Sequence, residues 1–390
     1  MDGITQALLG ATVGQASVGT RLGRRAAWWG ALGGLLPDAD IFVSAALGGE
    51  FTSMWVHRGT SHSLWFGPAL GPLLGIAVWR LERWRARKRE PDVDLEAQVP
   101  GQPEGVNWTG AGAKRAWIWL FVLSIVTHPM LDVFTSYGTQ LFAPFWRERF
   151  AFDGVGIVDP AYSVPLIIAL AICSAKKSRP RAATRVARWT LALTSAYLVW
   201  GLGMTRRVEA QARAELTSAG FQVDSVSGYT FVMQNGLKRV VARSGPRVFV
   251  GYASGWVERP IAWQSFELEP SADVERVLAT PEGRLFRWFS KGQLAWQVHR
   301  LENGGKRVEL DDLRFGMPAA PRRGFWGVDA ELSPGGDVLG VHRARRSRGG
   351  SRARHIGDIF RAAFGYDPRT YHVGVGGGVR ETTTATPSPQ

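Results

Sequence analysis

The 390-residue sequence has very little cysteine, and this scarcity limits the sites that the chain can build. Cys173 is the single cysteine, so an intrachain disulfide and a metal cage of several thiolates are both excluded. The first 15 residues contain an acid and no basic residue, so we expect no cleavable signal peptide. A domain outside the cytoplasm would therefore have to be held together by its hydrophobic core alone.

Acidic residues are scarce beside basic ones, at 33 against 47, which gives a formal net charge of +14. Such a charge suits nucleic acid or anionic lipid, but membrane proteins also collect Lys and Arg in short cytoplasmic loops. Here basic clusters at 80–89 and 176–188 each follow an apolar segment. We interpret a later arginine-rich run at 343–354 as a solvated tail, so we do not expect a nucleic-acid partner.

Long apolar runs are missing after residue 205, although the mean hydropathy of −0.08 hides this. A hydrocarbon core of ~30 Å needs ~20 helical residues, so several of the earlier runs would be short spans anchored by flanking Trp and Arg. A weakly apolar, glycine-rich segment at 4–19 could span, pack or re-enter the membrane. The apolar runs are 26–47, 63–79, 116–134, 161–175 and 189–204.

The sequence predicts a multi-domain α plus β protein. Residues 1–204 are expected to form a polytopic helical membrane domain of a bacterial-type inner membrane, with the basic loops in the cytoplasm and a His/Asp metal site toward the other face. Residues 205–342 alternate short apolar runs with turn residues, which predicts a mostly antiparallel extracytoplasmic β domain. Residues 284–289 and 293–301 are interpreted as two of its strands. Residues 343–390 are expected to be disordered.

Two carboxylates stand within an otherwise apolar run. Asp38 and Asp40 follow Pro37, and burying a carboxylate in hydrocarbon costs at least ~2.5 kcal/mol. Coordination of a divalent cation would compensate for this cost, because a nearby cation favours oxygen ligands in their anionic form. The alternative is a helix N-cap, in which Asp accepts hydrogen bonds from backbone N–H groups.

Three histidines lie in the same half of the chain. Two flank the loop HRGTSH and could converge into one site, although the loop could also be a polar turn with capping Thr and Ser. The third stands four residues before an aspartate, so that the two share one face of a helix. The predicted metal ligands are Asp38, Asp40, His57, His62, His128 and Asp132.

Nitrogen and oxygen donors without sulfur suit zinc, with manganese or iron as alternatives. Six donors exceed the needs of one tetrahedral ion, so one or two divalent ions are expected. In a two-metal site, a bridging water becomes a nucleophile near neutral pH. Asp132 or Asp159 could then act as a general base or hold a ligand histidine. Arg58 could grip a phosphate through two N–H groups or could simply cap its loop.

Five segments carry a family resemblance: MDGITQALLGATVG at Met1, GALGGLLPDAD at Gly30, HRGTSHSL at His57, THPMLDVFTSYGTQLFAPF at Thr127 and VDPAYSVPL at Val158. In this order they resemble the YdjM-type family of inner-membrane metal-dependent hydrolases, over essentially the first 200 residues. RWFSKG at Arg287 and DLRFG at Asp312 are similar to the C-terminal domain often attached to this family's membrane half.

The resemblance implies a helical metal-binding core distantly similar to zinc-dependent phospholipase C, with the six predicted ligands at or near the metal. Many relatives have histidine where this chain has Gln6, which leaves the contributions of Asp2 and Gln6 open. The family's hydrolase label adds less to function than to fold.

The expected function is metal-dependent hydrolysis of a phosphoester or related bond in a lipid or envelope component, because a site at a membrane face meets lipid headgroups first. Membrane lipid and a small-molecule or lipid substrate are the expected partners. One alternative is a non-catalytic membrane scaffold, in which a structural metal holds short helices together and the β domain binds a partner. A transporter is a third hypothesis, but no inverted repeat is evident.

Overall fold

The computed structural model describes residues 1–97, 102–176, 179–317, 320–344 and 380–381. The chain divides into two compact units. The helical unit comprises Met1–Leu47 and Val56–Trp200, and the β unit comprises Gly48–Trp55 and Gly201–Gln390. The predicted domain boundaries at 204 and 342 stay predictions. The predicted disorder of 343–390 falls outside the described residues, except at 343–344 and 380–381.

The first half of the chain is helical. Two short 3-10 turns, Leu36–Ala39 and Thr60–His62, interrupt the helices. Polar side chains cap several helices: the Thr5 N–H donates to the Asp2 carboxylate at the start of the first helix. The helices are α1 (Gly3–Leu22), α2 (Arg25–Leu35), α3 (Asp40–Leu47), α4 (Thr52–Val56), α5 (Phe66–Arg89), α6 (Ala113–Asp132), α7 (Pro160–Ala175) and α8 (Pro180–Ser218).

Helices α1 and α2 pack very closely because glycines line their contact. A Cβ added to Gly10 would lie 2.3 Å from the Gly30 carbonyl oxygen, and one added to Gly34 would lie 2.5 Å from the Gln6 carbonyl oxygen. Any side chain at these positions would push the two helices apart. The close contact holds the end of α2, and the turn that follows it, beside Gln6.

The predicted polytopic helical membrane domain is wrong. Among the described residues, Arg25–Leu47 is the single helical stretch long and apolar enough to cross a membrane; it has 23 residues, of which 18 consecutive ones have a mean hydropathy of 1.3. Thr52–His62 with Phe66–Arg89 qualifies only if this pair, bent by 65°, forms one span. Of the other apolar runs, 161–175 closely matches α7, whereas 63–79 begins before α5 and 189–204 lies inside the longer α8. Helix α7 has 16 residues, against the ~20 that a bilayer needs.

The β unit contains two antiparallel sheets, as the alternating pattern predicts. Between the sheets in sequence lie α9 (Ala272–Leu278) and α10 (Pro281–Phe289). The first sheet has β1 (Ser225–Thr230), β2 (Leu237–Ser244), β3 (Arg247–Ser254) and β4 (Gln264–Glu267), with β9 (Arg380–Glu381) parallel to β4. The second has β5 (Leu294–Arg300), β6 (Lys306–Asp312), β7 (Gly327–Leu332) and β8 (Val338–Ala344).

One predicted strand is a helix. Residues 284–289 belong to α10, whose first turn is fixed by its flanking residues. The Thr280 hydroxyl accepts a hydrogen bond from the Gly283 N–H, and Pro281 occupies the start of the helix. A capping threonine followed by proline is a strong helix start, and it outweighs the apolar alternation of RLFRWF.

The first sheet is buried on both faces. Val240 and Ala242 of β2 pack in a cluster with Val208 of α8. Their neighbour Val241 points the other way and packs in a cluster with Leu313. Successive side chains of a strand alternate between faces, so β2 contributes to two cores.

Candidate metal centre

Asp38 reaches the site from a break in the helical chain. Helix α2 ends at Leu35, and the 3-10 turn that follows contains Pro37. Proline lacks an N–H and disfavours helix in the residue before it, so the regular α-helix ends here and resumes at Asp40. The break leaves the Asp38 carboxylate partly exposed, whereas Asp40, the first residue of α3, is buried.

His62 comes from the loop after α4. Arg58 has φ 59, a left-handed conformation that is uncommon for a side chain of this size. Its backbone N–H donates to Asp40 Oδ2 over 3.1 Å, and the chain then tightens into the 3-10 turn that ends at His62. The turn places the His62 imidazole inside the helical unit, where its side chain is fully buried. Strained backbone of this kind is common at functional sites.

His128 and Asp132 lie on the last turn of α6, one helical turn apart. Both are buried, with exposed fractions of 1% and 0%. The His128 Nε2 atom lies 3.6 Å from Asp132 Oδ2, which agrees with the shared helix face expected for residues i and i+4.

Three of these side chains form a group that could hold a metal ion. Asp38, His62 and His128 each offer one ligand atom, and the three atoms lie within 4.8 Å of one another. The two imidazole Nε2 atoms are 3.1 Å apart, and Asp38 Oδ1 lies 3.3 Å from one and 3.5 Å from the other. Zinc bonds of 2.0–2.2 Å in a tetrahedron imply ligand separations of about 3.3 to 3.6 Å. The donor spacing therefore fits a small divalent ion.

Hydrogen bonds to the far side of each ring define which nitrogen faces inward. The His128 Nδ1–H donates to the Gly34 carbonyl over 2.6 Å. The Ser61 hydroxyl donates to Asp40 Oδ2 over 2.8 Å, so Ser61 Oγ accepts from the His62 Nδ1–H over 3.0 Å. In neutral imidazoles, both Nε2 atoms then carry lone pairs toward the site.

The atoms that face the centre of the site are therefore hydrogen-bond acceptors, and they outnumber the donors there. With both imidazoles neutral, their two lone pairs and the Asp38 carboxylate meet, and no hydrogen-bond donor among the described residues lies between them. One added proton would supply a single donor and would place a charge on a fully buried ring. A divalent cation satisfies all three atoms at once. The residues present thus fit a metal, and they are the nitrogen and oxygen donors typical of zinc, manganese or iron.

Asp132 lies beside the group but has cationic partners of its own. Its carboxylate forms ion pairs with the Met1 amino group and with Arg58 Nε, the latter at 3.1 Å. The Gln6 amide donates to the same carboxylate over 3.0 Å. Asp132 Oδ2 is also 3.5 Å from His62 Nε2. Asp132 is therefore a fixed negative charge next to the imidazoles.

Asp40 and His57 lie just outside the group of three. Asp40 Oδ1 is 2.9 Å from His57 Nδ1, while Asp40 Oδ2 accepts from Ser61 and the Arg58 N–H. Asp40 thus orients His62 through Ser61, the arrangement by which outer carboxylates commonly fix metal-binding histidines. The His57 side chain is 22% exposed, and its ring contacts that of His62 edge-on at 5.6 Å.

Asp159 belongs to different surroundings. Its carboxylate accepts from the Ala161 N–H and from the Tyr197 hydroxyl, each over 3.0 Å. It therefore caps α7 and ties that helix to α8. Burial raises the pKa of the Asp159 carboxyl. Asp2 likewise serves as the cap of α1 through the Thr5 N–H and hydroxyl.

Arg58 points inward instead of toward solvent. Besides its ion pair with Asp132, the guanidinium donates to the Thr135 hydroxyl over 2.8 Å and lies 4.7 Å from the Tyr137 ring centroid. Sequence reasoning did not identify Ser61, Thr135 or the Gly34 carbonyl. Ser61 adjoins His62 and so carried a signal, but nothing in the sequence indicates which carbonyl will accept from His128.

The side-chain carbonyl oxygen of Gln6 is buried beside the site. The Gln6 amide N–H groups donate to Asp132 and to the His128 carbonyl, whereas the buried Oε1 atom accepts no hydrogen bond from any residue that the structure describes. A buried carbonyl oxygen without a donor is costly. Gln6 therefore adds to the surplus of acceptors next to His128.

Comparison with known proteins supports the family but not the more distant similarity. The family described as YdjM inner membrane protein matches residues 1–208, which is more than half of the chain. No curated protein and no solved structure gives a significant match. The similarity to phospholipase C, the zinc identity and the placement of residues 205–342 outside the cytoplasm stay predictions. The chain belongs to the YdjM inner membrane protein family.

Proposed function

We propose that this chain is an inner-membrane metal-dependent hydrolase that cleaves a phosphoester or related bond in a lipid or envelope component. The observation that carries the proposal is the convergence of His62 Nε2, His128 Nε2 and Asp38 Oδ1, with the outer nitrogen of each ring already hydrogen-bonded. Three protein ligands leave a fourth position for water or substrate, the pattern of catalytic zinc sites. A divalent ion bound there would polarise a phosphoryl oxygen and acidify a water molecule.

The surrounding residues supply orientation and charge. Asp132 sets a negative charge beside both imidazoles, and Arg58 in turn fixes Asp132. We assign these two residues a positioning role, because each already has a buried partner of opposite charge. Asp159 caps α7 and has no contact with the three ligands among the described residues, so the proposal gives it no step in the reaction.

Two observations support a lipid substrate: the family of the chain and the exposure of one ligand to the surroundings. The family is one of inner membrane proteins, and Asp38 is the most exposed of the three ligands, with a side chain 20% accessible against 0% for both histidines. A substrate would therefore approach from the side of the turn at Leu36–Ala39, which lies within the candidate span.

A structural metal site is the second candidate function. The complete burial of both imidazoles favours it, because structural sites are closed to solvent. In that case the ion would join α6 to the turns at Leu36–Ala39 and Thr60–His62, and no turnover would follow.

Hydrolysis by the full-length protein in detergent separates the two candidates. A panel of lipid phosphomonoesters, lipid phosphodiesters and a soluble aryl phosphate would be assayed with zinc, with manganese and with chelator. We expect metal-dependent turnover that falls by more than about 100-fold in His128→Ala, beyond the loss usual for an outer partner of a metal. His299→Ala is the matched control, since His299 is half exposed on β5 and pairs with Glu309.

The metal content of the same preparations, measured together with turnover, distinguishes a catalytic metal site from a structural one. Stoichiometric metal in the unaltered chain, absent from His128→Ala, together with no turnover on the panel, would favour the structural site. Failure of the unaltered chain to retain any divalent metal would contradict both candidates.

A further inference from the structure

The helical unit contains an apolar groove between α1, α2 and α7. It has a volume of about 470 Å³. Ala7 and Ala11 of α1 and Ala27 and Ala31 of α2 form much of its wall, and Leu170 of α7 contributes the third side. Because alanines line both facing helices, the groove leaves room for a slender apolar occupant where larger residues would fill it.

A second cavity of different chemistry lies beside the groove. This cavity, of about 560 Å³, is lined by Arg24 and Arg25 together with three tryptophans. Arg24 and Trp28 border both cavities, so Arg24 is within reach of an occupant of the apolar groove. The three tryptophans are Trp28, Trp29 and Trp108.

The two arginines differ in their available charge. The Arg25 guanidinium donates to Glu82 over 2.9 Å and stacks 3.7 Å from the Trp108 ring centroid. The Arg24 side chain is exposed, and no residue in the described parts of the chain forms an ion pair or hydrogen bond with its guanidinium. The basic cavity thus retains one positive charge without a counter-ion, and guanidinium binds phosphate strongly.

The position along the chain matches a membrane interface. The candidate span begins at Arg25, and Trp28 is 71% exposed. Arginine and tryptophan concentrate at the level of lipid headgroups. An apolar groove that ends at an interfacial arginine has the same polarity profile as a phospholipid.

We propose that these two cavities bind one anionic phospholipid, with an acyl chain in the groove and its phosphate on Arg24. The charge at Arg24 favours this occupant over an apolar helix of a partner protein, which would bring no anion to the basic cavity. The site shares no lining residue with Asp38, His62 or His128, and the inference does not depend on hydrolysis.

Photo-crosslinking tests the site in the full-length protein. The chain would be placed in phosphatidylcholine nanodiscs containing phosphatidylglycerol with a diazirine on its acyl chain, and labelled peptides would be mapped. We expect labels on peptides of α1, α2 and α7. Ala31→Trp should abolish these labels by filling the groove, whereas Leu32→Trp, on the exposed face of the same helix, should leave them unchanged.

Arg24→Ala tests the headgroup without altering the packing of the helices. We expect labelling by the anionic probe to fall roughly fivefold, the factor for one basic residue at an anionic surface. A diazirine phosphatidylcholine probe, whose phosphate is neutralised by its own choline, should label the groove weakly and should lose less labelling than the anionic probe in Arg24→Ala. Equal labelling of Ala31→Trp and Leu32→Trp would overturn the groove, and an unchanged preference for the anionic probe in Arg24→Ala would overturn the phosphate site.

Discussion

Buried charge is treated differently in the two units of this protein. In the β unit, Arg314 and Asp312 are fully buried, and the Arg314 guanidinium donates to both carboxylate oxygens, at 2.7 Å in the closest contact. In the helical unit, His62, His128 and Asp38 meet through acceptor atoms alone. Burial by itself therefore does not indicate function. A buried surplus of lone pairs does, because it requires a cation from outside the chain.

The same contrast divides the carboxylates of the helical unit. Asp132 has Arg58 and the Met1 amino group as partners, and so resembles Asp312 of the β unit. Asp38 has only the two imidazoles as partners among the described residues. The charge on Asp132 is balanced by the fold itself, whereas the charge on Asp38 is left for a metal to balance.

The largest expected effect comes from breaking the balanced pair in the β unit. Arg314→Leu leaves the Asp312 carboxylate buried without its partner, so the free energy of unfolding should fall by about 3 to 5 kcal/mol. Denaturant titration of the full-length protein in detergent, followed by a probe in the β unit, measures this loss. The double variant Arg314→Leu/Asp312→Leu should recover part of it.

The exposed ion pair between Arg247 and Glu267, at 3.0 Å in the same unit, provides the control. Arg247→Leu should cost no more than about 1 kcal/mol, since exposed pairs contribute little. Equal costs for the two single variants would show that burial does not make the Arg314 pair special.

Metal should stabilise the helical unit and leave the β unit unaffected. A divalent ion at 100 times its dissociation constant raises the free energy of unfolding by about 2.7 kcal/mol. Zinc added to the chelated protein should produce this rise, and His62→Ala should remove it. Arg314→Leu should retain the rise in full. A rise of the same size in His62→Ala would mean that the ion binds elsewhere.

The candidate ligands are predicted from the sequence because burying ionisable side chains in apolar runs costs free energy, which a bound cation would offset. Asp38, His62 and His128 were all among the six expected ligands, and the structure brings these three together. The sequence could not show which of the two loop histidines faces inward. That choice depends on the left-handed Arg58 and on the ion pair between Arg58 and Asp132, which join residues 74 positions apart.

The strand pattern is predicted well and the membrane spans are not. The short apolar runs of β2 and β3 are local features of the sequence, and both segments form strands. The two strands pair antiparallel around the turn at 245–246. The number of spans depends on where helices begin and end. The turn at Thr60–His62 breaks one apolar stretch, which bends by 65° there, whereas Arg25–Leu47 still qualifies as a span although Pro37 lies within it. Composition alone does not reveal this difference.

A smaller effect should follow from loosening the orientation of His62. Ser61→Ala removes the hydroxyl that links the His62 Nδ1–H to Asp40. Metal affinity should fall roughly tenfold, within the range for outer partners of metal-binding histidines. Titration with zinc against a competing chelator measures the change. Ser17→Ala is the control, because the Ser17 hydroxyl donates to the Val13 and Gly14 carbonyls of its own helix α1, away from the site. Equal affinities for the two variants would exclude an orienting role for Ser61.

The smallest effect concerns Asp159. Its buried carboxylate belongs neither to a buried ion pair of the described residues nor to the candidate metal ligands. Burial raises its pKa in the folded state, so folding favours the protonated form. The stability contributed by that form is complete below the unfolded pKa of about 4 and is lost as the pH rises through the folded pKa. Asp159→Asn keeps the cap and should flatten this decline, with a change at neutral pH within about 1 kcal/mol. Unfolding measured from pH 4 to 7 would contradict this account if the decline persisted unchanged in Asp159→Asn.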